Sequence, residues 1–544
     1  MYNHQSCFES VTVHGGEDNM RTISRTYIAI FIVAPFLLLS ALVWVMNSRQ
    51  VPLLHSISAA DHVPDKIITL FVPANPQASL PADGEDFVLQ AIEEKFDVQV
   101  QLLSAPSGAA YAAELEAKLL ANDPPDMWIE QSEDLGATLA LYGVLADLGP
   151  YVSPASMPNY FKYWVTENEL KQYRIHNRFS RAPLPYDKNS YRSYYIRQDW
   201  LDALGLKLPS NYEEYIEVLH AFTYDDPDGN KLQDTYGFSV SGNSNSLTTD
   251  WPEYGLHGLV YPAYMSKDKL IDMESDLRMQ AVVEDIIKVV DAGVVDRDWF
   301  LNAGSAHVEK AIKGKIGIVF GQTAEFALDA NPGSLQSLSR AYNPEANWVP
   351  FNPLGREPLG TIPSPGAPFV FSKKVVDKAP VKAKQIIAIL DWLGSEEGFL
   401  LTHYGLEGKH YTRSGNTITL LNNSGPTVDS GDLDWLSIWR FFTPETPMAL
   451  GLQIIDPRLT ERDKQIREFL AQMPARPKLG VTLSPPIGID VGAFRTRQNE
   501  LLKKLLFYDK SGARWPEYHT DLMNNYYGNE IIANFEQQVR EAAQ

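Results

Sequence analysis

The chain reads as an α/β protein of two lobes, preceded by a transmembrane helix, and three observations predict the two lobes. From residue 66 onward, short β-rich runs alternate with amphipathic helical stretches, the pattern of a parallel sheet with crossover helices. The chain has 544 residues, 44% of them hydrophobic, which is enough to bury more than one core. No long Pro/Gly/Ser linker divides the part after residue 65, as expected if the chain crosses between two lobes more than once.

Taken in order, residues 27–46 (YIAIFIVAPFLLLSALVWVM) are apolar or nearly so and long enough to cross a bilayer as a helix. Arg21 and Arg25 precede the run, so the amino terminus is expected in the cytoplasm and the bulk of the chain outside it. Neither an Ala-x-Ala site nor a lipid-accepting cysteine follows, and the run is long for a signal peptide. Residues 1–50 are therefore expected to be a cytoplasmic leader and an uncleaved anchor, with a cleaved signal peptide as the alternative. The single cysteine, Cys7, lies before this segment, which excludes an intramolecular disulfide and CxxC chemistry. A formal charge of -21 argues against nucleic-acid partners, whose phosphates it repels.

Residues 51–65 read as a linker. Residues 66–73 (KIITLFVP) read as a buried strand, 87–95 as a helix and 96–104 as an alternating strand. Residues 111–121 read as a helix ended by Asn122-Asp123-Pro124-Pro125, 126–131 as a strand and 135–142 as a helix. A second series follows, with strands at 191–197, 316–320 and 368–372. Its helices are expected at 199–204, 212–222, 279–292 and 381–393, and the polar, aromatic stretch 508–544 should end in a helix. One lobe is expected to hold 66–165 with 316–375, and the other 166–315 with 376–544.

The sharpest local feature is Asp226-Pro227-Asp228-Gly229-Asn230-Lys231-Leu232-Gln233-Asp234. Oxygen side chains fall at positions 1, 3, 5 and 9, and Leu232 at position 7 can offer its carbonyl, the spacing of an EF-hand-type calcium loop. Calcium needs six to eight oxygens, which closely spaced Asp and Asn on a turn supply. Glycine stands at position 4 rather than 6, and position 12 is Gly237 rather than Glu. The same residues also make ordinary turns, and the spacing alone leaves both readings open.

These residues and their neighbours resemble bacterial extracellular solute-binding proteins of the large calcium-carrying type, similar to alginate-oligosaccharide-binding proteins and related Gram-positive lipoproteins. The shared stretches are Tyr195-Ile196-Arg197-Gln198-Asp199-Trp200-Leu201-Asp202-Ala203-Leu204-Gly205, the acidic loop with Asp234-Thr235-Tyr236-Gly237, and Tyr404-Gly405-Leu406-Glu407-Gly408-Lys409-His410-Tyr411-Thr412 after Ser395-Glu396-Glu397-Gly398. The resemblance implies a periplasmic-binding-protein-like, maltose-binding-protein-like fold with a hinge and a ligand cleft between two lobes. It also implies docking onto an ABC permease and a structural calcium held by Asp226, Asp228, Asn230, Leu232 and Asp234. Thr235 stands where the family commonly has an acid, which implies weaker calcium. No lipid-bearing cysteine is present, so tethering would rely on the apolar helix.

A carbohydrate, expected to be an oligosaccharide, suits the aromatic richness after residue 65, because sugar C–H faces pack on aromatic planes while their hydroxyls need Asp, Asn, Gln or Arg. The best combinations are Trp128 with Gln131 at the end of a predicted strand, where open sheets bind ligands, and Trp251 with Tyr254 in Asp250-Trp251-Pro252-Glu253-Tyr254. Tyr261, Phe320 with Gln322, and Trp435 follow. Any single tryptophan is more often core than ligand contact; Trp200 and Trp392, within helical patterns, are expected in the core, and His410 is expected to be structural. HExxH, GxSxG, P-loop and GxGxxG motifs are all absent, so the expectation is a binding protein, not an enzyme. Two alternatives remain, a ligand-sensing subunit of a membrane receptor and a surface glycan-degrading enzyme.

Overall fold

In the computed structural model, the described residues are 66–544 without 75–80, 82–83, 132–135, 137–138, 141, 175–177, 190, 363–366, 422–432, 478, 480–482, 484, 487 and 544. The expected membrane helix, 27–46, lies outside them; among the described residues no helix is long and apolar enough to cross a membrane.

Two main sheets form, each with its own core. The first has the order β2-β1-β3-β11-β4, with β1 Ile67–Ala74, β2 Gln99–Pro106, β3 Met127–Ile129, β4 Ala182–Pro183 and β11 Pro368–Phe371. β1, β2 and β3 are parallel and β11 runs against β3. The inner strands β3 and β11 are buried at every residue, as a sheet covered on both faces requires, whereas the edge strand β2 is exposed at four of its eight residues. The helices Phe87–Phe96, Pro380–Leu393 and Glu396–Tyr404 pack on it, as does the small sheet of β12 Tyr411–Ser414, β13 Thr417–Leu420 and β14 Gln453–Ile455. The helix Pro158–Tyr163 has no cap of its own; Asp391, distant in sequence, accepts from the Asn159 and Tyr160 amides at 2.8 and 3.0 Å and satisfies its first turn.

The second sheet has the order β10-β5-β9-β6, with β5 Ser193–Arg197, β6 Tyr236–Phe238, β9 Ile316–Gly321 and β10 Trp348–Phe351. Its core takes in the helices Tyr212–Tyr224 and Met279–Asp291 and the carboxyl-terminal helices Val491–Lys504, Trp515–Asn525 and Gly528–Ala543. Trp200 is buried in this core and Trp392 in the first, as expected. The hairpin of β7 Ala263–Ser266 and β8 Lys269–Asp272 also belongs with the second core.

The expected lobe division needs correction. Residues 316–320 were expected beside the first sheet, yet β9 pairs with β5 and β6, and β10 with β5, in the second. Conversely, residues 380–421 and 433–452 were expected in the second lobe and pack in the first core. Among the described residues the chain therefore changes core three times, between β4 and β5, between β10 and β11, and after β14.

These crossings orient the sheets. The chain leaves the first sheet at Pro183 and re-enters at Pro368, which faces Pro183, and both lie at the carboxyl ends of β1–β3. It enters the second sheet at Ser193, opposite Gly321, and leaves it at Phe351, opposite Tyr194, which is the carboxyl end of β9. Both connections thus join the carboxyl-end edge of one sheet to that of the other, where open α/β sheets bind ligands.

Candidate functional site

At that edge of the second sheet, Phe320 and Gly321 end β9, Gln322 follows, and Arg192 immediately precedes β5. The Arg192 guanidinium lies between two rings, 4.6 Å from the Phe320 centroid and 5.1 Å from that of Tyr261. Its Nε donates to the Leu359 carbonyl at 2.9 Å and its Nη2 to the Thr249 carbonyl at 3.5 Å. The Asp250 carboxylate stands 3.9 Å from Nη2, and Gln322 Nε2 donates to Asp250 Oδ1 at 3.5 Å. This approach needs a glycine at 360, since a Cβ there would lie 2.4 Å from Arg192 Cδ. Burial lowers the Arg192 pKa from its ordinary value, opposed by Asp250, and raises that of Asp250, opposed by Arg192.

Trp251 leads into the short helix Pro252–Leu256, whose first position is Pro252, a residue preorganised for that place. The turn brings Trp251 and Tyr254 against Arg192, Tyr261 and Phe320 around a small pocket of about 20 Å³. That is far below a ligand-sized pocket, roughly 300–1,000 Å³, so as it stands the pocket takes a single polar group and not a whole ring. Tyr261 is 44% exposed, whereas Trp251 and Tyr254 are buried. Beneath this floor Glu253 is wholly buried; the Tyr212 hydroxyl donates to its Oε1 at 2.7 Å, while its Oε2 has no partner. Burial pushes the Glu253 carboxyl up to about 7.

Five of the eight expected ligand residues, Trp251, Tyr254, Tyr261, Phe320 and Gln322, therefore meet at one place. The other three lie in the first lobe. Trp128 is 1% exposed in the middle of the first sheet, and Trp435, 8% exposed, sits edge-on against Phe87 at 4.8 Å. Both are core residues in this structure, because each ring is enclosed by its sheet or helix neighbours. Gln131 is exposed past β3 and accepts from the Gly108 amide at 3.0 Å, so it stands at the first sheet's carboxyl edge. The sequence reading missed Arg192. Its signal is an arginine directly ahead of a strand that is buried throughout.

The acidic loop precedes β6, and β6 is parallel to β9, so it occupies the opposite edge of the second sheet from this cavity. The Lys231 amide donates to Asp226 at 2.9 Å and the Leu232 amide to Asn230 at 2.7 Å, while Asn230 donates to Asp228 at 2.8 Å and Asp234 at 3.2 Å. Lys315 pairs with Asp234 and lowers that carboxyl's pKa. Burial, and after it the facing carboxylates of Asp226 and Asp234, raise that of Asp228. Among the described residues no three His, Cys, Asp or Glu side chains stand ready-formed around one point. The donor set still fits a hard cation: Asp226 Oδ1 is buried without a partner, and the oxygens around it repel one another. His410 is buried and its Nδ1 accepts from the Leu406 amide at 2.9 Å, a structural role as expected.

A family model described as bacterial extracellular solute-binding protein matches residues 74–398. Among curated proteins, the polygalacturonan/rhamnogalacturonan-binding protein YtcQ of Bacillus subtilis is 24% identical over 347 residues, 60% of this chain and 64% of that relative, so the chain spans less than two thirds of its length. Among solved structures, an HMO binding ABC-transporter associated solute binding protein from Bifidobacterium longum infantis superposes with a TM-score of 0.66 at 18% identity, over 87% of this chain and 98% of that one. The S. pneumoniae ABC-transporter substrate binding protein FusA, an EF-hand mutant in complex with fructo-nystose, gives 0.61 at 15% identity, over 88% and 99%. At these identities the likeness establishes the two-lobe fold.

Proposed function

Because the chain belongs to the bacterial extracellular solute-binding proteins, we propose that it is the extracytoplasmic binding component of an ABC importer and holds an oligosaccharide between its lobes. The carrying observation is the Arg192 cavity. Tyr261 supplies an aromatic face for a ring's C–H surface, and Arg192, Asp250 and Gln322 supply directional partners for hydroxyls in the same small space. The Gln131 edge of the first sheet would close over it. Carbohydrate-binding relatives that belong to ABC transporters support the reading.

The chain binds and releases its ligand unchanged, then hands it to the permease. Residues 27–46 tether it to the membrane. Calcium, held by the side chains of Asp226, Asp228, Asn230 and Asp234 and the Leu232 carbonyl, would neutralise the crowded carboxylates and brace the loop ahead of β6. Titrating the purified protein with fructo-nystose and with galacturonan oligomers, and following tryptophan fluorescence, tests the function. A saturable change with the sugar recovered intact is expected; hydrolysis of the sugar, or no response to either class, would overturn the proposal.

A further inference from the structure

A pocket too small for a ring leaves most of an oligosaccharide to be held outside it, and a chain of ring contacts runs from the pocket wall through buried Trp299 to the surface. Trp251 meets Trp299 edge-on at 5.0 Å, Trp299 stacks on Phe507 at 6.2 Å, and Phe300 meets Phe507 at 4.7 Å. Phe507 and Tyr508 lie on a single π-helical turn, Leu505–Asp509, a form frequent at functional sites. They are 43% and 83% exposed, and Leu301, next in sequence to Phe300, is 65% exposed. Topology places this patch at the same end of the second sheet as the pocket. β6 and β9 are parallel and Phe238 bridges Val295 in parallel, so the segments leaving Phe320, Phe238 and Val295 emerge on the same side.

The loop from β6 supplies polar neighbours. The Ser244 amide donates to the Phe300 carbonyl at 2.8 Å, which fixes the loop against the patch. Asn243 and Asn245 are exposed there, and Asn245 Oδ1 accepts from Lys503 at 3.5 Å. Exposed aromatic rings beside side-chain amides match the chemistry of a sugar ring, apolar on its faces and hydroxylated at its edge. It rests on the carbohydrate reading of the Arg192 cavity.

We propose that Phe507 and Tyr508 form an outer carbohydrate subsite that stacks a distal ring of the oligosaccharide whose first ring rests against Tyr261 at the mouth of the Arg192 pocket, with Asn243 and Asn245 as hydroxyl partners. The test is calorimetric titration of the full chain with two ladders, fructo-oligosaccharides and galacturonan oligomers of increasing length. Tyr508→Ala, at a side chain too exposed to carry the fold, should bind the shortest binding member as wild type does. It should weaken the longer members by roughly three- to tenfold, the equivalent of one ring contact. The double variant with Phe507→Ala should deepen that loss, while Arg192→Ala should weaken every length. Equal affinity for all lengths in wild type and Tyr508→Ala would overturn the outer subsite and leave the cavity reading intact. So would unchanged affinity joined to lost stimulation of the importer's ATPase, which would make the patch a permease contact. If neither ladder binds wild type, the carbohydrate reading and the subsite fail together.

Discussion

Arg192 carries the site because its planar guanidinium does two things a lysine cannot. It stacks between Phe320 and Tyr261, and it fans hydrogen bonds toward Leu359 and Thr249 beside Asp250. Arg192→Lys is therefore expected to weaken ligand binding nearly as much as Arg192→Ala, by about tenfold or more, since each charged hydrogen bond contributes about 1.5–3 kcal/mol. Fluorescence titration of both variants checks this, and a fully active lysine variant would show that charge alone matters. Glu253 makes a separate prediction. Tyr194, Tyr212, Tyr215 and Asp285 face it, and its carboxyl holds a proton up to about 7, against 4.5 in an unfolded chain. Between those values the folded state binds more protons than the unfolded one. This group's contribution to stability is therefore greatest below pH 4.5 and declines toward pH 7, by up to about 3 kcal/mol. Glu253→Gln removes the decline, so the melting temperature of the variant should gain on wild type as pH rises through this window. A difference that does not vary with pH would show that Glu253 does not carry the proton.

At the scale of elements, the acidic loop and the ligand cavity sit at opposite ends of the parallel pair β6 and β9. Removing calcium should therefore cost stability without costing affinity. Chelation is expected to lower the melting temperature by a few degrees, since a cation at a hundred times its Kd adds about 3 kcal/mol. Carbohydrate affinity should stay within about twofold, because no loop residue lines the cavity. Thermal melts and titrations with and without chelator check both, and an unchanged melt would refute the metal. Much of this element was legible. The expected helices at 212–222 and 279–292 appear as Tyr212–Tyr224 and Met279–Asp291, because each presents apolar residues at helical spacing and buries them. The short strand β10 was missed because its four residues show no period of their own.

For the whole molecule, three crossings between two cores leave the lobes free to move about short connections, the arrangement of hinge closure around a ligand. Adding a bound oligosaccharide is expected to shrink the radius of gyration measured by small-angle X-ray scattering. An unchanged value under saturation would mean that the lobes do not close. The buried pair of Arg181 and Glu130, 2.8 Å apart, ties the end of β3 to the segment entering the first crossing. Such a pair is costly to break from one side, about 3–5 kcal/mol, and it anchors one side of the hinge.

The order of strands and helices, the acidic loop and the aromatic turn at Trp251 and Tyr254 were determined by the sequence alone, because periodicity, turn chemistry and ligand spacing are local properties. Which core each strand joins was decided only by the tertiary structure. β9 reads as a buried strand in either lobe, and its pairing with β5 and β6 depends on contacts far apart in the chain. The same reason separates Trp251 from Trp128. Both are tryptophans beside acidic residues, but only the long-range fold places one against a cavity and encloses the other within a sheet.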